Sequence, residues 1–223
     1  MHQIEDNFFK SKEIIVSGAV AAICSILAIF FPENNFLQSL TKGLFFFFLI
    51  PVLYIKFVLK KEMSDFGLNV RQIRTGVAWG LSMLLLGSVL MYLVISYTDF
   101  FNHYAVSLSV VGNFWIFIFY NLVILNIFLF FQEYFFRGFV LNVFSPKFFA
   151  WSILIETVLY AAVFLTESLM SGKSFWTSVP FIILSLTGGV TAYKSKSMVY
   201  SWISGVIFLL LLNSYLIHII KAG

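Results

Sequence analysis

The chain has 223 residues, 61% of them hydrophobic and 11% charged, with a mean hydropathy of +0.96 and a net charge of +4. Soluble domains run at about 45–50% apolar and 25% charged, so an ordinary water-soluble fold is excluded. A single cysteine, Cys24, excludes an intramolecular disulfide or a cysteine metal cluster.

Seven apolar runs are long enough to cross a bilayer, which takes about 20 helical residues. The first covers about Glu13 to Phe31 and ends at Pro32 and the polar Glu33-Asn34-Asn35. It follows Lys10 and Lys12 as a signal sequence would, but no small-x-small cleavage site follows it, so it reads as a retained anchor. The second runs from about Leu40 to Leu59 and contains Pro51, which predicts a kink. The third runs from about Thr75 to Tyr97. The fourth, Asn113 to about Phe144, is the longest. The fifth is about Phe149 to Leu165, the sixth Thr177 to Tyr193 and the seventh Met198 to Ile220. None shows period-2 alternation, which argues against a membrane barrel. The fold class expected is all-α: a polytopic bundle of about seven transmembrane helices, forming a single integral membrane domain over residues 1–223.

Loop charges orient the spans. The second connection holds Lys60, Lys61, Arg71 and Arg74, the fourth Lys147, and the sixth Lys194 and Lys196. The odd connections carry only Lys42 and Lys173, with Glu33, Asp99 and Glu167 among them. Lys and Arg excess marks the cytoplasmic side, which predicts a cytoplasmic N-terminus and an outside C-terminus. The expected location is a bacterial cytoplasmic membrane. The bilayer is the first partner implied, and no basic region outside the lipid is available for nucleic acid. No metal or other cofactor is expected, because His2, His103 and His218 form no His-Glu-x-x-His pattern. Twenty-nine Phe residues, in runs such as Phe45 to Phe48, read as a lipid-facing surface, the alternative being an aromatic pocket for a lipid or prenyl group.

The segment Gln132-Glu133-Tyr134-Phe135-Phe136-Arg137-Gly138 places two charges inside the fourth span. An ion in lipid costs roughly 2.5–3.5 kcal/mol on insertion scales, so such residues face the bundle interior and mark a site. Glu133 and Arg137 are spaced i,i+4 with the acid first, the better order for pairing on one helix face. Two readings follow: a structural ion pair that fixes packing, or an acid that activates water or holds a polar ligand group. Gln132 can hydrogen-bond but cannot take a proton. Glu156, in the fifth span, is either a partner for Arg137 from a second helix or an alternative base whose burial disfavours the charged form. Asn213, in the seventh span, is either interhelical glue or a donor to an oxyanion. Gly188-Gly189 reads as close helix packing or a bend. Ser201 and Ser204 have no His or Lys base in their own segment, so a serine nucleophile has weak support.

Together these features resemble the CAAX-type prenyl endopeptidase and bacteriocin-processing family (CPBP, or Abi). Its first motif is two glutamates, three mostly apolar residues, Arg, and commonly Gly with an apolar residue; here it reads Gln132-Glu133-Tyr134-Phe135-Phe136-Arg137-Gly138-Phe139. Its second, an aromatic followed four residues later by His, falls on Tyr160-Ala161-Ala162-Val163-Phe164. Its last, a His followed four residues later by Asn, falls on Leu209-Leu210-Leu211-Leu212-Asn213. Asp65-Phe66-Gly67-Leu68 upstream, and Gly188-Gly189 with a basic loop before the last span, also match in order, so the resemblance covers residues 62–216.

The resemblance implies an intramembrane endopeptidase fold. Carried over position by position, the catalytic base becomes Gln132, its histidine partner Phe164 and one oxyanion donor Leu209; Glu133, Arg137 and Asn213 survive. Losing one member of a catalytic unit costs orders of magnitude in rate. The expected function is therefore a catalytically degenerate member that binds a membrane protein partner or a prenylated or hydrophobic peptide, in an immunity, chaperone or regulatory role. One alternative is an active endopeptidase with Glu133 or Glu156 as base and Asn213 as oxyanion donor. Another is a small-solute or ion transporter, since intramembrane acids also mark transport routes.

Overall fold

The computed structural model describes residues 2–33, 35–104, 111–172 and 174–222, with side chains from Lys12 to Ile220. Asn34 and Lys173, and the side chains of His2 and Lys10, lie outside the described residues. Seven helices are long and apolar enough to cross a membrane, and no strand occurs among the described residues. They are α1 (Lys12–Phe30, within a helix beginning at His2), α2 (Phe36–Leu59), α3 (Ile73–Tyr97), α4 (Phe114–Phe148), α5 (Trp151–Met170), α6 (Phe175–Ser195, its first turn 3₁₀) and α7 (Met198–Ile220). The chain is a helical integral membrane protein, as its sequence predicts.

Local chemistry sets the helix ends. Asn35 caps α2 by accepting from the Gln38 N–H at 2.9 Å, and Asn113 caps α4 by accepting from Trp115 and Ile116. Between α2 and α3 a 3₁₀ turn, Met63–Phe66, ends at Gly67 with φ +84°, a conformation a side chain would strain. The Gly67 carbonyl accepts the Met198 N–H at 3.0 Å, and Asn69 donates to the Lys196 carbonyl at 3.0 Å. The loops after α2 and α6 are thereby tied together, and Lys61 pairs with Glu13 of α1 on the same face. Pro51 lies within an irregular stretch of α2. It sits in a short α-helical stretch, Ile50–Leu53, flanked by wide π-helical turns at Gly43–Leu49 and Tyr54–Leu59. Proline removes one intrahelical donor and crowds the preceding turn, and wider turns relieve the crowding.

Two apolar cores form. One joins α1, α2, α4 and α5 around Phe47, Phe135, Phe136, Phe139 and Tyr160. The other joins α3, α6 and α7 with Leu129 of α4 around Met91, Leu184, Phe208 and Leu212. The Phe-rich composition is thus divided. Phe45 is half exposed, as a lipid-facing residue should be, whereas Phe135, Phe136 and Phe139 are fully buried. Phe47 meets Phe135 and Phe136 at ring-centroid distances of 5.0 and 5.7 Å, an aromatic seam between α2 and α4. The expectation of a purely lipid-facing role is corrected: in lipid, helix association relies on packing contact, and interlocked rings supply much of it here. Helix α6 packs against α3, α5 and α7, so groups from α4 to α7 converge along it.

Candidate functional site

Glu133 and Arg137 lie in the part of α4 that passes between the two cores, and both are fully buried. Arg137 Nη1 donates to Glu133 Oε1 at 2.6 Å, the pairing that the i,i+4 spacing predicts. The second Glu133 oxygen accepts from the Ser201 hydroxyl of α7. Arg137 Nη2 donates to the Leu184 carbonyl of α6 at 2.8 Å. That carbonyl lies within a helix, so the guanidinium fastens α4 directly onto the α6 backbone. Glu156 of α5, also fully buried, brings Oε1 to 3.4 Å from Arg137 Nε without a hydrogen bond between them. Its Oε1 accepts from Ser185 of α6 at 3.2 Å. The Tyr160 ring lies under the guanidinium, with Arg137 Cζ 4.9 Å from the ring centroid. Four helices thus contribute to one charged cluster, and each of its acids faces Arg137.

The two adjacent glycines of α6 make room for it. A Cβ on Gly188 would stand 2.7 Å from Ser201 Oγ and 3.1 Å from Arg137 Nη2. A Cβ on Gly189 would stand 2.8 Å from Glu156 Oε2 and 3.1 Å from Ile153 Cγ2. Close packing is therefore what Gly188-Gly189 provides, specifically where α6 passes the ions. Ser201 serves as a donor to Glu133, while Ser204 donates to the Ser201 carbonyl at 2.9 Å. Neither hydroxyl donates to a His or Lys, and the carboxylate that Ser201 meets is already paired with Arg137.

Asn213 lies elsewhere. It is 12 residues beyond Ser201 on α7, about 18 Å along a helix at 1.5 Å per residue. Its Nδ2 donates to Asn121 Oδ1 of α4 at 2.7 Å, and both amides are buried. Asn121 in turn donates to the Phe117 carbonyl at 2.9 Å. This is an interhelical hydrogen bond, the kind of contact that one sequence reading expects of Asn213, and it leaves Asn213 out of the Glu133–Arg137–Glu156 cluster.

Gln132 faces a different space. Its Oε1 accepts from the Tyr160 hydroxyl at 3.1 Å, and it borders a cavity of about 390 Å³. Phe164 of α5 and Leu209 of α7 line the same cavity, with Phe47, Phe128 and Phe181 supplying rings. A second cavity, of about 400 Å³, shares Phe164, Phe181, Ser39, Glu33 and Glu167 with the first. On the polar side of both, Lys42 Nζ bridges Glu33 Oε2 at 2.8 Å and Glu167 Oε1 at 3.1 Å. Residues that count as loop charges in the sequence are thus assembled into a partly buried ion cluster. The available signal is Lys42 itself, nearly two turns inside an apolar helix. Glu133 and Glu156 do not line either cavity. Among the described residues, no group of three or more His, Cys, Asp or Glu is arranged to hold a metal ion.

No family model, curated protein or solved structure matches the chain.

Proposed function

We propose that this integral membrane protein is a catalytically degenerate relative of the CAAX-type endopeptidase and bacteriocin-processing family, and that it binds a hydrophobic peptide segment of a membrane partner without cleaving it. The observation that carries the reading is the convergence of Gln132, Phe164 and Leu209 on one cavity. These positions come from three helices, and they are the three to which the resemblance assigns the base, its partner and an oxyanion donor. None can exchange a proton at neutral pH. The cavity falls within the range of about 300–1,000 Å³ typical of ligand sites and offers aromatic walls beside a few polar groups. Glu133, Arg137 and Glu156 then support the wall behind Gln132, through Tyr160, and do not face the ligand. A cytoplasmic N-terminus, with the cavity's charged side towards the opposite face, belongs to the same proposal.

The experiment is reconstitution in liposomes with prenylated and unprenylated hydrophobic peptides. Photoreactive side chains at Phe164 or Leu209 should capture peptide, and the same probe at lipid-facing Leu85 should not. Peptide-bond cleavage should be absent. Turnover that is abolished by Glu133→Gln or Glu156→Gln and spared by Gln132→Ala would replace the proposal with the active-endopeptidase reading. Against that reading stand the complete burial of both acids and the engagement of each with Arg137.

A further inference from the structure

We infer that Glu156 is a proton-storing site: a neutral carboxylic acid inside the membrane, held beside a Glu133–Arg137 ion pair. The inference is independent of the binding proposal and concerns the chemistry of the cluster alone.

Glu133 and Glu156 face a single guanidinium, and all three side chains are fully buried. With both acids ionised, the cluster would hold one uncompensated negative charge among apolar helices. A buried group in that position takes up a proton in preference to remaining charged. One proton from water, bonded to a carboxylate oxygen, brings the cluster to neutrality and changes no oxidation state.

Hydrogen bonding decides which acid carries it. Both oxygens of Glu133 accept hydrogen bonds, one from Arg137 and one from Ser201, as an anion requires. Glu156 is served differently. Its Oε1 has one neutral donor, Ser185, and only a misaligned approach to Arg137 Nε at 3.4 Å. Its Oε2 has no hydrogen-bond partner and points at the bare Cα of Gly189. An ionised carboxylate with one undonated oxygen would carry the cost of a poorly solvated buried charge, whereas a protonated acid leaves only a neutral group unpaired.

The surroundings complete the assignment. From α4 the site meets Arg137 and Glu133, and from α6 it meets Ser185 and Gly189. From its own helix it meets Tyr160 and Thr157, whose hydroxyl makes no hydrogen bond to it by distance and angle, and Ser201 of α7 reaches only Glu133. Arg137 is the one cation among the described residues that touches either acid, and Glu133 already holds its closest bond. Loss of the Glu156 proton would place an unpaired charge against α6, where Gly189 leaves room for the Glu156 carboxyl. The site is thereby coupled to the α5–α6 contact.

Infrared spectroscopy of the full chain in liposomes, with and without ¹³C-labelled glutamate, tests this. At neutral pH the wild type should show a carbonyl band of a protonated carboxylic acid that shifts on ¹³C labelling. Glu156→Gln, which replaces a neutral acid with a neutral amide of the same shape, should fold and lose that band. Three outcomes would each overturn the inference: no such band in the wild type, a band that survives in folded Glu156→Gln, or a Glu156→Gln chain that cannot assemble.

Discussion

Removal of one partner from the Glu133–Arg137 pair should destabilise the bundle far more than removal of both. Glu133→Leu leaves a fully buried guanidinium that keeps the Leu184 carbonyl but loses its 2.6 Å carboxylate. Deleting one member of a buried pair costs roughly 3–5 kcal/mol. Arg137→Met leaves two fully buried acids without their cation and removes one of the donors to the Leu184 carbonyl, a loss of similar size. The double variant removes both ions. It retains the Ser201 hydroxyl without its acceptor and a Leu184 carbonyl with one donor fewer, about 1–3 kcal/mol, because a buried ion pair replaced by apolar groups is close to neutral in stability. Simple addition would put the double variant roughly 6–10 kcal/mol below wild type, so a coupling of several kcal/mol is expected. Equilibrium unfolding in mixed micelles reads all four members of the cycle. The single variants should lower the midpoint temperature by on the order of 10 °C, at about 2–4 °C per kcal/mol for a chain of this size. Costs that add, or a Glu133→Leu chain as stable as wild type, would refute the idea that the pair is closed to water and holds α4 against α6.

Other substitutions separate the remaining contacts. Gly189→Ala should cost about 1–3 kcal/mol by overpacking against Glu156 and Ile153, whereas Gly80→Ala, whose new Cβ would meet the Tyr200 carbonyl oxygen no closer than 3.7 Å, should fall well below that in the same unfolding assay. Asn213→Leu should lose about 0.6–2 kcal/mol through the amide pair with Asn121 while leaving the Glu156 infrared band unchanged; loss of that band would mean that the two sites are linked. Lys42→Met should weaken the tie from α2 to Glu33 and Glu167 by roughly 1 kcal/mol and alter peptide capture at Phe164 more than it alters stability, measured by crosslinking yield against midpoint. Liposomes containing the protein should show no proton flux above empty vesicles. Flux abolished by Glu156→Gln would favour the transport reading.

Much of the site was legible because helix geometry is local. The i,i+4 spacing of Glu133 and Arg137 fixes their pairing within one helix, whatever surrounds it. The cost of a charge in lipid then marks that helix face as interior. Glu156 and Asn213 were visible as polar groups in apolar runs, but their partners were not. Arg137 binds a backbone carbonyl at Leu184, and every residue type carries one, so no sequence pattern could signal it. Ser201 and Ser185 are ordinary serines until α6 and α7 bring them to the two acids.

Composition and hydropathy by themselves determined an integral membrane bundle of seven helices, because lipid leaves the backbone few other ways to satisfy its hydrogen bonds. They also located the charged segment of α4. Tertiary structure alone decided that Glu133 and Glu156 share one arginine, that Asn213 pairs with Asn121 some turns away, and that Gln132, Phe164 and Leu209 open onto one cavity. The physical reason is that side-chain partners on different helices depend on how those helices are rotated and spaced. In this chain, that is set by aromatic packing and by glycines whose missing side chains let α6 close on the ions.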